Sequence, residues 1–201
     1  MGRRKGSIGY WNTEVYPEHV YERKSIKYDF LKFCGWEILE KIIKDLEPLH
    51  SALVCALFET GGRATEVLTL RPEQFDIRGY HVMVLRMPVL KRREGVDRTF
   101  PIPVSDPLLG PLLSYVETIE DGQRLFPFKY GKLYKIVSSI KEHGPWWPQR
   151  FRGERATQLV VEKKFGVFHL MEWFGWAREE TPTFYVSLNP EDLIKIISER
   201  D

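Results

Sequence analysis

Two arginines, a lysine and a tyrosine in this sequence suit the cutting of a phosphodiester bond without a metal ion or a cofactor. Arg63 follows a pair of glycines, and Arg152 follows a loop rich in proline and tryptophan, so both are expected near the start of a helix. Two guanidinium groups can neutralise the charge that grows on phosphate oxygens as a fifth bond to phosphorus forms, because each presents paired donors in a fixed geometry. Tyr185 offers a phenolic oxygen that can attack the phosphorus, and Lys91 can donate a proton to the departing 5′ oxygen.

Each of these residues also has an ordinary interpretation when it is taken alone. An arginine beside a glycine turn is commonly a surface residue, and one tyrosine among nine is commonly a packing residue. Lys91 is crowded by Arg92 and Arg93, so the proton donor could be any of the three, or the basic turn could simply track a phosphate backbone. The chemical interpretation therefore depends on the elements that bring these residues together.

Charge is distributed unevenly along a chain whose net charge is only +2. Residues 123–155 contain eight Lys or Arg and two acids, whereas residues 172–201 contain three Lys or Arg and seven acids. The basic segment predicts a polyanion surface, although a solvated helix face is the simpler alternative. The DNA contacts predicted from the basic segment and the basic turn are Arg92, Arg93, Lys132, Lys135, Arg150 and Arg155.

The composition predicts an intracellular, cytoplasmic protein that does not insert into a membrane. Hydrophobic residues make up 43% of the chain, which fits a folded domain rather than disorder. Cys34 and Cys55 form no CxxC pair and have apolar neighbours, as expected of reduced, buried thiols. The longest apolar run, 52–58, is too short to span a bilayer, and no signal peptide is visible.

The hydrophobic pattern predicts an α+β fold that is mainly helical and carries a small antiparallel hairpin or sheet. Residues 1–29 are expected to form an arm, and residues 30–201 one domain. Two extended runs, 80–90 and 99–104, flank the basic turn and predict the hairpin. Helices are predicted at 36–46, at 49–58 with a stop at Gly61 and Gly62, at 63–70, after Pro111, after Gly131, at 152–162, at 167–174 and at 190–201.

The order of these motifs resembles the catalytic domain of the tyrosine recombinases, the phage-integrase family. The resemblance covers roughly residues 36–188 and rests on Thr60 to Leu68, Lys91 in the hairpin, Arg152 to Thr157, Phe174-Gly175-Trp176, Thr181 and Tyr185. It implies cleavage and rejoining of double-stranded DNA through a 3′-phosphotyrosine, as in the integrase of a mobile element. The catalytic residues implied by position are Arg63, Lys91, Gln149, Arg152, Trp176 and Tyr185, with Glu66 orienting the guanidinium of Arg63.

Two positions depart from the family's usual pattern. Gln149 stands where a histidine is most often found, and Trp176 stands where a second histidine is common. An indole N–H can still donate to a phosphate, but a carboxamide cannot accept a proton from Tyr185. A catalytically weak DNA-binding relative therefore stays open as an alternative, as does a type IB topoisomerase with the same residue types.

The resemblance also raises expectations about the two ends of the chain. Family members generally carry an additional N-terminal helical domain, and the residues before the first predicted helix are too few for it. The terminal helix has an apolar stripe at Leu193, Ile194 and Ile197. In the family such a tail docks on a neighbouring copy, so self-association on DNA is expected through this helix.

Overall fold

The computed structural model describes residues 33–90 and 95–186. The predicted arm at 1–29, the basic turn and the terminal helix at 190–201 lie outside these residues. The helices are α1 (Trp36–Lys44), α2 (Pro48–Thr60), α3 (Ala64–Val67), α4 (Leu109–Val116), α5 (Tyr130–Ser138), α6 (Pro148–Val161), α7 (Val167–Phe174) and α8 (Glu180–Val186), and the strands are β1 (Phe75–Arg78), β2 (His81–Pro88) and β3 (Asp97–Pro103). This architecture confirms the predicted α+β class.

The first two helices follow directly from their hydrophobic patterns. In α1, Leu39 and Ile42 are buried while the charged positions face solvent. In α2, every residue from Ala52 to Thr60 is buried, which fits its largely apolar sequence. Gly61 ends α2 in the left-handed conformation, at φ 56°, as predicted from the glycine pair. α2 packs against α1, α4 and α6 and therefore forms the centre of the core.

The sheet contains one strand more than the predicted hairpin. Its three antiparallel strands lie in the order β1-β2-β3, so β3 is an edge strand and tolerates Pro101 and Pro103. β1 was not predicted because it is only four residues long and two of them, Asp76 and Arg78, are charged. A register shift between Val84 and Met87 bends β2 near the end that leads to the basic turn.

The remaining helices correct several predicted boundaries. α4 begins two residues before Pro111, and α6 begins at Pro148 rather than at Arg152. α7 has the bounds that were predicted, at Val167–Phe174. α8 was not predicted, because it is short and contains Pro182 together with two β-branched threonines. Among the described residues, no helix is long and apolar enough to cross a membrane.

A buried polar cluster connects α6 to α2 and to the segment before α4. Arg155 is fully buried on α6, and its Nη1 donates to Asp106 Oδ2 at 2.8 Å while its Nη2 lies 3.2 Å from Glu59 Oε2. The predicted DNA contact at Arg155 is therefore wrong, since its guanidinium is held inside the core between two acids. This cluster fixes the helix on which Arg152 lies.

We expect the stability of the domain to fall as the pH rises towards 8 because of Glu59. Burial raises the pKa of Glu59 to about 8, against the opposing charge of Arg155 and with a further increase from Asp106. Above the ordinary carboxyl pKa, the unfolded chain loses this proton while the folded protein retains it. The contribution of Glu59 to stability is therefore fully present below the ordinary carboxyl pKa and is lost as the pH rises to about 8. The variant Glu59→Gln cannot ionise, so its melting temperature should rise relative to the wild type across this interval. A difference that stays constant with pH would contradict this expectation.

Candidate active site

Two hydrogen bonds connect Arg63 and Glu66 at the start of α3. The backbone N–H of Arg63 donates to Glu66 Oε2 at 2.9 Å, and Arg63 Nη1 donates to Glu66 Oε1 at 2.8 Å. Glu66 is fully buried, whereas 21% of the Arg63 side chain is exposed. Glu66 thus reaches back to the guanidinium as the resemblance implied. The Arg63 guanidinium is held at the surface by one buried carboxylate.

Gly61 and Gly62 allow close approaches that no side chain would permit. A Cβ atom on Gly61 would lie 2.2 Å from Phe174 Cε1, and one on Gly62 would lie 2.4 Å from Met87 Cε. These glycines let the end of α2 pack directly against the end of α7 and against β2. The close approach at Gly61 therefore brings the carbonyls of Gly61 and Phe174 near enough for the Arg152 guanidinium to donate to both.

We expect Gly61→Ala to be among the most destabilising substitutions in the domain. Alanine would adopt an unfavourable positive φ, at a cost of about 1–2 kcal/mol, and would also overlap the Phe174 ring. The melting temperature should fall by several degrees. Gly79→Ala is a matched control, since Gly79 has a similar φ of 59° but no atom within 4 Å of its added Cβ. Equal losses in the two variants would show that the contact with Phe174 contributes nothing.

Arg152 is buried between the ends of α2 and α7. Only 1% of its surface is exposed, and its Nη1 donates to Gly61 O at 2.6 Å while its Nη2 donates to Phe174 O at 3.0 Å. Its Nη1 lies 4.0 Å from Glu66 Oε2, which connects it to the carboxylate that binds Arg63. The two arginines predicted to share a phosphate are therefore neighbours, although 89 positions separate them in the chain.

An aromatic stack covers the guanidinium of Arg152. The rings of Phe174, Trp176 and Tyr185 lie nearly parallel in that order, with centroid separations of 4.6 Å and 5.7 Å. The Arg152 guanidinium carbon lies 4.7 Å from the Phe174 centroid and 5.2 Å from the Trp176 centroid. Gly175 ends α7 at φ 64° and turns the chain so that Trp176 folds back onto Phe174. Tyr185 closes the stack from α8 and is 9% exposed.

The electrostatics of this site are dominated by buried positive charge. Burial, assisted by the charges of Arg98 and Arg63, lowers the pKa of Arg152 to about 9, so it remains protonated at neutral pH. Burial raises the pKa of Tyr185, while the charge of Arg152 acts in the opposite direction. Arg152 therefore already acts electrostatically on the phenol predicted to be the nucleophile. Within the described residues, no three His, Cys, Asp or Glu side chains come together as a metal site.

Other predicted catalytic residues contribute less to this arrangement. Gln149 is exposed in the first turn of α6, three residues before Arg152, so the two side chains lie on neighbouring positions of one helix face. Lys91, Arg92 and Arg93 lie outside the described residues. Their predicted roles as proton donor and phosphate contacts stay predictions.

The predicted DNA contacts on α5 and α6 differ in their surroundings. Lys132 and Lys135 are exposed on α5, a helix that packs against α3 and hence lies close to Arg63. Arg150 instead donates to the carbonyls of His143 and Pro145 at 3.1 Å and 2.8 Å, and its guanidinium carbon lies 3.8 Å from the centroid of the nearest ring of Trp146. The guanidinium of Arg150 therefore braces the loop before α6, and Lys132 and Lys135 are better candidates for a DNA contact.

Arg98, which lies on β3, was not predicted as a site residue. Its side chain is 4% exposed, and its Nη2 lies 3.6 Å from Glu66 Oε2. Arg98, Phe100 and Ile102 alternate along β3 and all point into the core. The two-residue period of a strand would have identified Arg98 as an inward-facing charge, had β3 been extended back to it.

Comparison with known proteins gives matches among solved structures. A structure of the XerH site-specific recombinase bound to its difH substrate has a TM-score of 0.64 and 19% identity over 85% of this chain and 55% of that chain. A crystal structure of XerA recombinase has a TM-score of 0.62 and 17% identity over 84% of this chain and 65% of that chain. The catalytic domain of bacteriophage HP1 integrase has a TM-score of 0.52 and 18% identity over 84% of this chain and 94% of that chain.

The comparisons by sequence gave no match, either among protein-family models or among curated proteins. The chain spans between about half and two thirds of the XerH and XerA chains that it resembles. At these identities the likeness is one of fold. It confirms the fold expected from the motif order, and the described part of this chain has the architecture of a tyrosine-recombinase catalytic domain.

Proposed function

We propose that this domain cleaves and rejoins DNA strands through a covalent 3′-phosphotyrosine at Tyr185, as a site-specific recombinase or integrase of a mobile element. The observation that carries the proposal is the convergence of Arg63 and Arg152 on Glu66, with Tyr185 stacked on the tryptophan that covers Arg152. Two guanidinium groups and a phenol, from three distant parts of the chain, thereby lie close together. This is the combination that strand transfer without a metal requires.

The proposed reaction is a transfer of one phosphodiester bond. The phenolic oxygen of Tyr185 releases its proton to solvent water once the site is open and bonds to phosphorus, the bond from phosphorus to the 5′ oxygen breaks, and the 5′ oxygen gains a proton. Arg63 and Arg152 would bind the non-bridging oxygens, and Lys91 would supply the proton to the leaving 5′ oxygen. The reverse attack by a 5′ hydroxyl restores the DNA and releases the tyrosine, so rejoining needs no ATP.

The reaction requires the aromatic stack to open. With 1% of its surface exposed, Arg152 can meet a phosphate only after the rings beside it move. Because Tyr185 lies on the short helix α8, displacement of this helix would free the phenol and remove the ring that stacks on Trp176, so that Trp176 can then move away from Arg152. Gln149 cannot accept the phenolic proton, so we infer that the positive field of the arginines lowers the cost of forming phenolate.

Lys132 and Lys135 are proposed to bind the DNA backbone beside the site. Replacing both by alanine should weaken binding by similar factors for different DNA sequences. Each lost phosphate contact should reduce the slope of log affinity against log salt by about 0.9. Lys41 and Lys44 have the same spacing on α1 and are also exposed, so their double alanine variant is a matched control. Equal effects of the two pairs in a fluorescence-anisotropy titration would contradict the assignment to α5.

A DNA-binding relative without turnover is the second candidate, and the exposed Gln149 is the observation that favours it. Random-sequence duplexes carrying nicks at varied positions, followed by a denaturing gel, separate the two. A protein–DNA adduct resistant to denaturant supports the enzyme. Binding without any adduct supports the second candidate. Relaxation of a supercoiled plasmid by the monomer would favour the topoisomerase alternative.

Self-association on DNA through residues 190–201 and an intracellular, cytoplasmic location also remain proposals. The apolar stripe of that segment supports the first, since a lone domain must bury it or lend it to a neighbour. Light scattering of the DNA complex, with and without residues 187–201, tests the self-association. A complex of unchanged mass after the truncation would contradict it.

A further inference from the structure

Arg98 adds a third guanidinium to the buried carboxylate of Glu66. The contacts from Arg63, Arg98 and Arg152 to the carboxylate oxygens of Glu66 measure 2.8 Å, 3.6 Å and 4.0 Å. Within the described residues, no other acid forms an ion pair with any of these three arginines. Three positive charges therefore share one negative charge, and two of the three are almost entirely removed from water.

The position of Arg98 is set by the core rather than by solvent. Its Nη1 donates to the carbonyl of Trp173, its Nη2 lies 3.3 Å from Met87 Sδ, and its guanidinium carbon lies 4.9 Å from the centroid of the Phe100 ring. Its Nε meets no hydrogen-bond acceptor in the described part of the chain. A buried arginine held in this way cannot contact a bound anion directly, so it acts on that anion through its electric field and through the position of Glu66.

We propose that Arg98 is a positioning residue of the anion pocket, the proposed phosphate site formed by Arg63 and Arg152. It draws Glu66 away from Arg152 and strengthens the preference of this pocket for a doubly charged phosphate. Arg98 and Arg152 both face Oε2 of Glu66, with Arg98 the nearer of the two. The charge of Arg152 therefore stays available to an incoming anion. A phosphodiester carries one negative charge, whereas its pentacovalent state carries two. An additional fixed cation therefore stabilises the pentacovalent state more than the phosphodiester.

This inference rests on the proposed function of the site, and it predicts different effects on binding and on reaction. Replacing Arg98 by methionine should leave the affinity for DNA nearly unchanged, because Arg98 is buried. The rate of adduct formation should fall by about tenfold or more, as expected for the loss of one charge near the reacting phosphate. A purely structural role would lower the melting temperature without changing the rate in the protein that remains folded.

Anion binding provides a readout that needs no DNA cleavage. Inorganic phosphate, at a pH where it is a dianion, should raise the melting temperature of the wild type more than dimethyl phosphate, which is a monoanion. Arg98→Met should lose this preference, and Arg98→Lys should retain it because the charge remains. Arg78→Met is the matched control, since Arg78 is an exposed arginine of the same sheet, and this variant should behave like the wild type.

The outcomes distinguish this inference from the proposed function. If the wild type forms the adduct and a folded Arg98→Met variant forms it at the same rate, the inference fails and the function stands. If no adduct forms but the preference for the dianion depends on Arg98, the function fails and the inference stands. If Arg98→Met does not fold, the inference is tested with Arg98→Lys alone, by its preference for phosphate over dimethyl phosphate. A folded lysine variant without the preference for phosphate over dimethyl phosphate would overturn the inference.

Discussion

Tyr185→Phe is expected to abolish covalent attachment of the protein to DNA while leaving the fold and DNA affinity almost intact. The substitution removes one oxygen atom from a ring that stacks on Trp176, and phenylalanine can preserve that stacking. Without the oxygen, no phosphotyrosine can form, so the adduct should disappear entirely rather than decrease. Wild type and variant are compared on nicked duplexes by denaturing gel, with binding measured separately by fluorescence anisotropy.

Tyr80→Phe is the matched control for this experiment. Tyr80 lies next to β2 and is 94% exposed, so loss of its hydroxyl should change neither binding nor attachment. An adduct that persists in Tyr185→Phe would show that another residue is the nucleophile. Loss of the adduct together with loss of folding, seen by circular dichroism, would instead show a structural role for the Tyr185 hydroxyl.

Arg152→Lys is expected to lower the rate of adduct formation by roughly 10²- to 10³-fold. Lysine keeps the positive charge but lacks the planar guanidinium, whose two terminal nitrogens donate separately to Gly61 O and Phe174 O, so it cannot keep both bonds and present a fixed pair of donors to a phosphate. Loss of one buried hydrogen bond should also reduce the free energy of unfolding by about 1–3 kcal/mol. Rates are therefore compared at a temperature at which both proteins remain folded.

Arg150→Lys on the same helix separates catalysis from helix stability. Arg150 supports the loop before α6 and lies two residues before Arg152, so its replacement should lower the melting temperature with little effect on the rate measured in folded protein. If the two variants slow adduct formation equally, Arg152 has no special part in the reaction. A rate unchanged in Arg152→Lys would remove the main support for the proposed phosphate site.

The residues that converge in the site were predicted from the order of motifs in the resemblance, and turn chemistry marks some of their positions. The glycine pair before Arg63 predicted the end of α2, and Gly175 marked the turn that folds Trp176 back, so the order of motifs carried the correct fold. The pairing of Glu66 with Arg63 follows from a spacing of three residues on one helix. Such signals depend only on residues close in sequence, so they can be recognised without the structure.

Local sequence patterns do not predict contacts between distant parts of the chain. Arg155 was predicted to contact DNA, yet it is buried because Glu59 on α2 and Asp106 before α4 pack against its guanidinium. Arg98 was missed because the predicted strand began one residue after it, and its proximity to Glu66, which lies 32 positions earlier in the chain, depends on the packing of β3 against α3. Only the packed structure places these groups together.

The most direct test of the central claim is to locate the covalent DNA on the protein by mass spectrometry. After reaction with nicked duplexes and nuclease trimming, trypsin should release a peptide from Glu179 to Lys195, in which Tyr185 is the only tyrosine. We predict that this peptide carries the mass of a nucleotide 3′-phosphate and that fragmentation assigns it to Tyr185. Nucleotide on another peptide, or cut DNA with no modified peptide, would contradict the account.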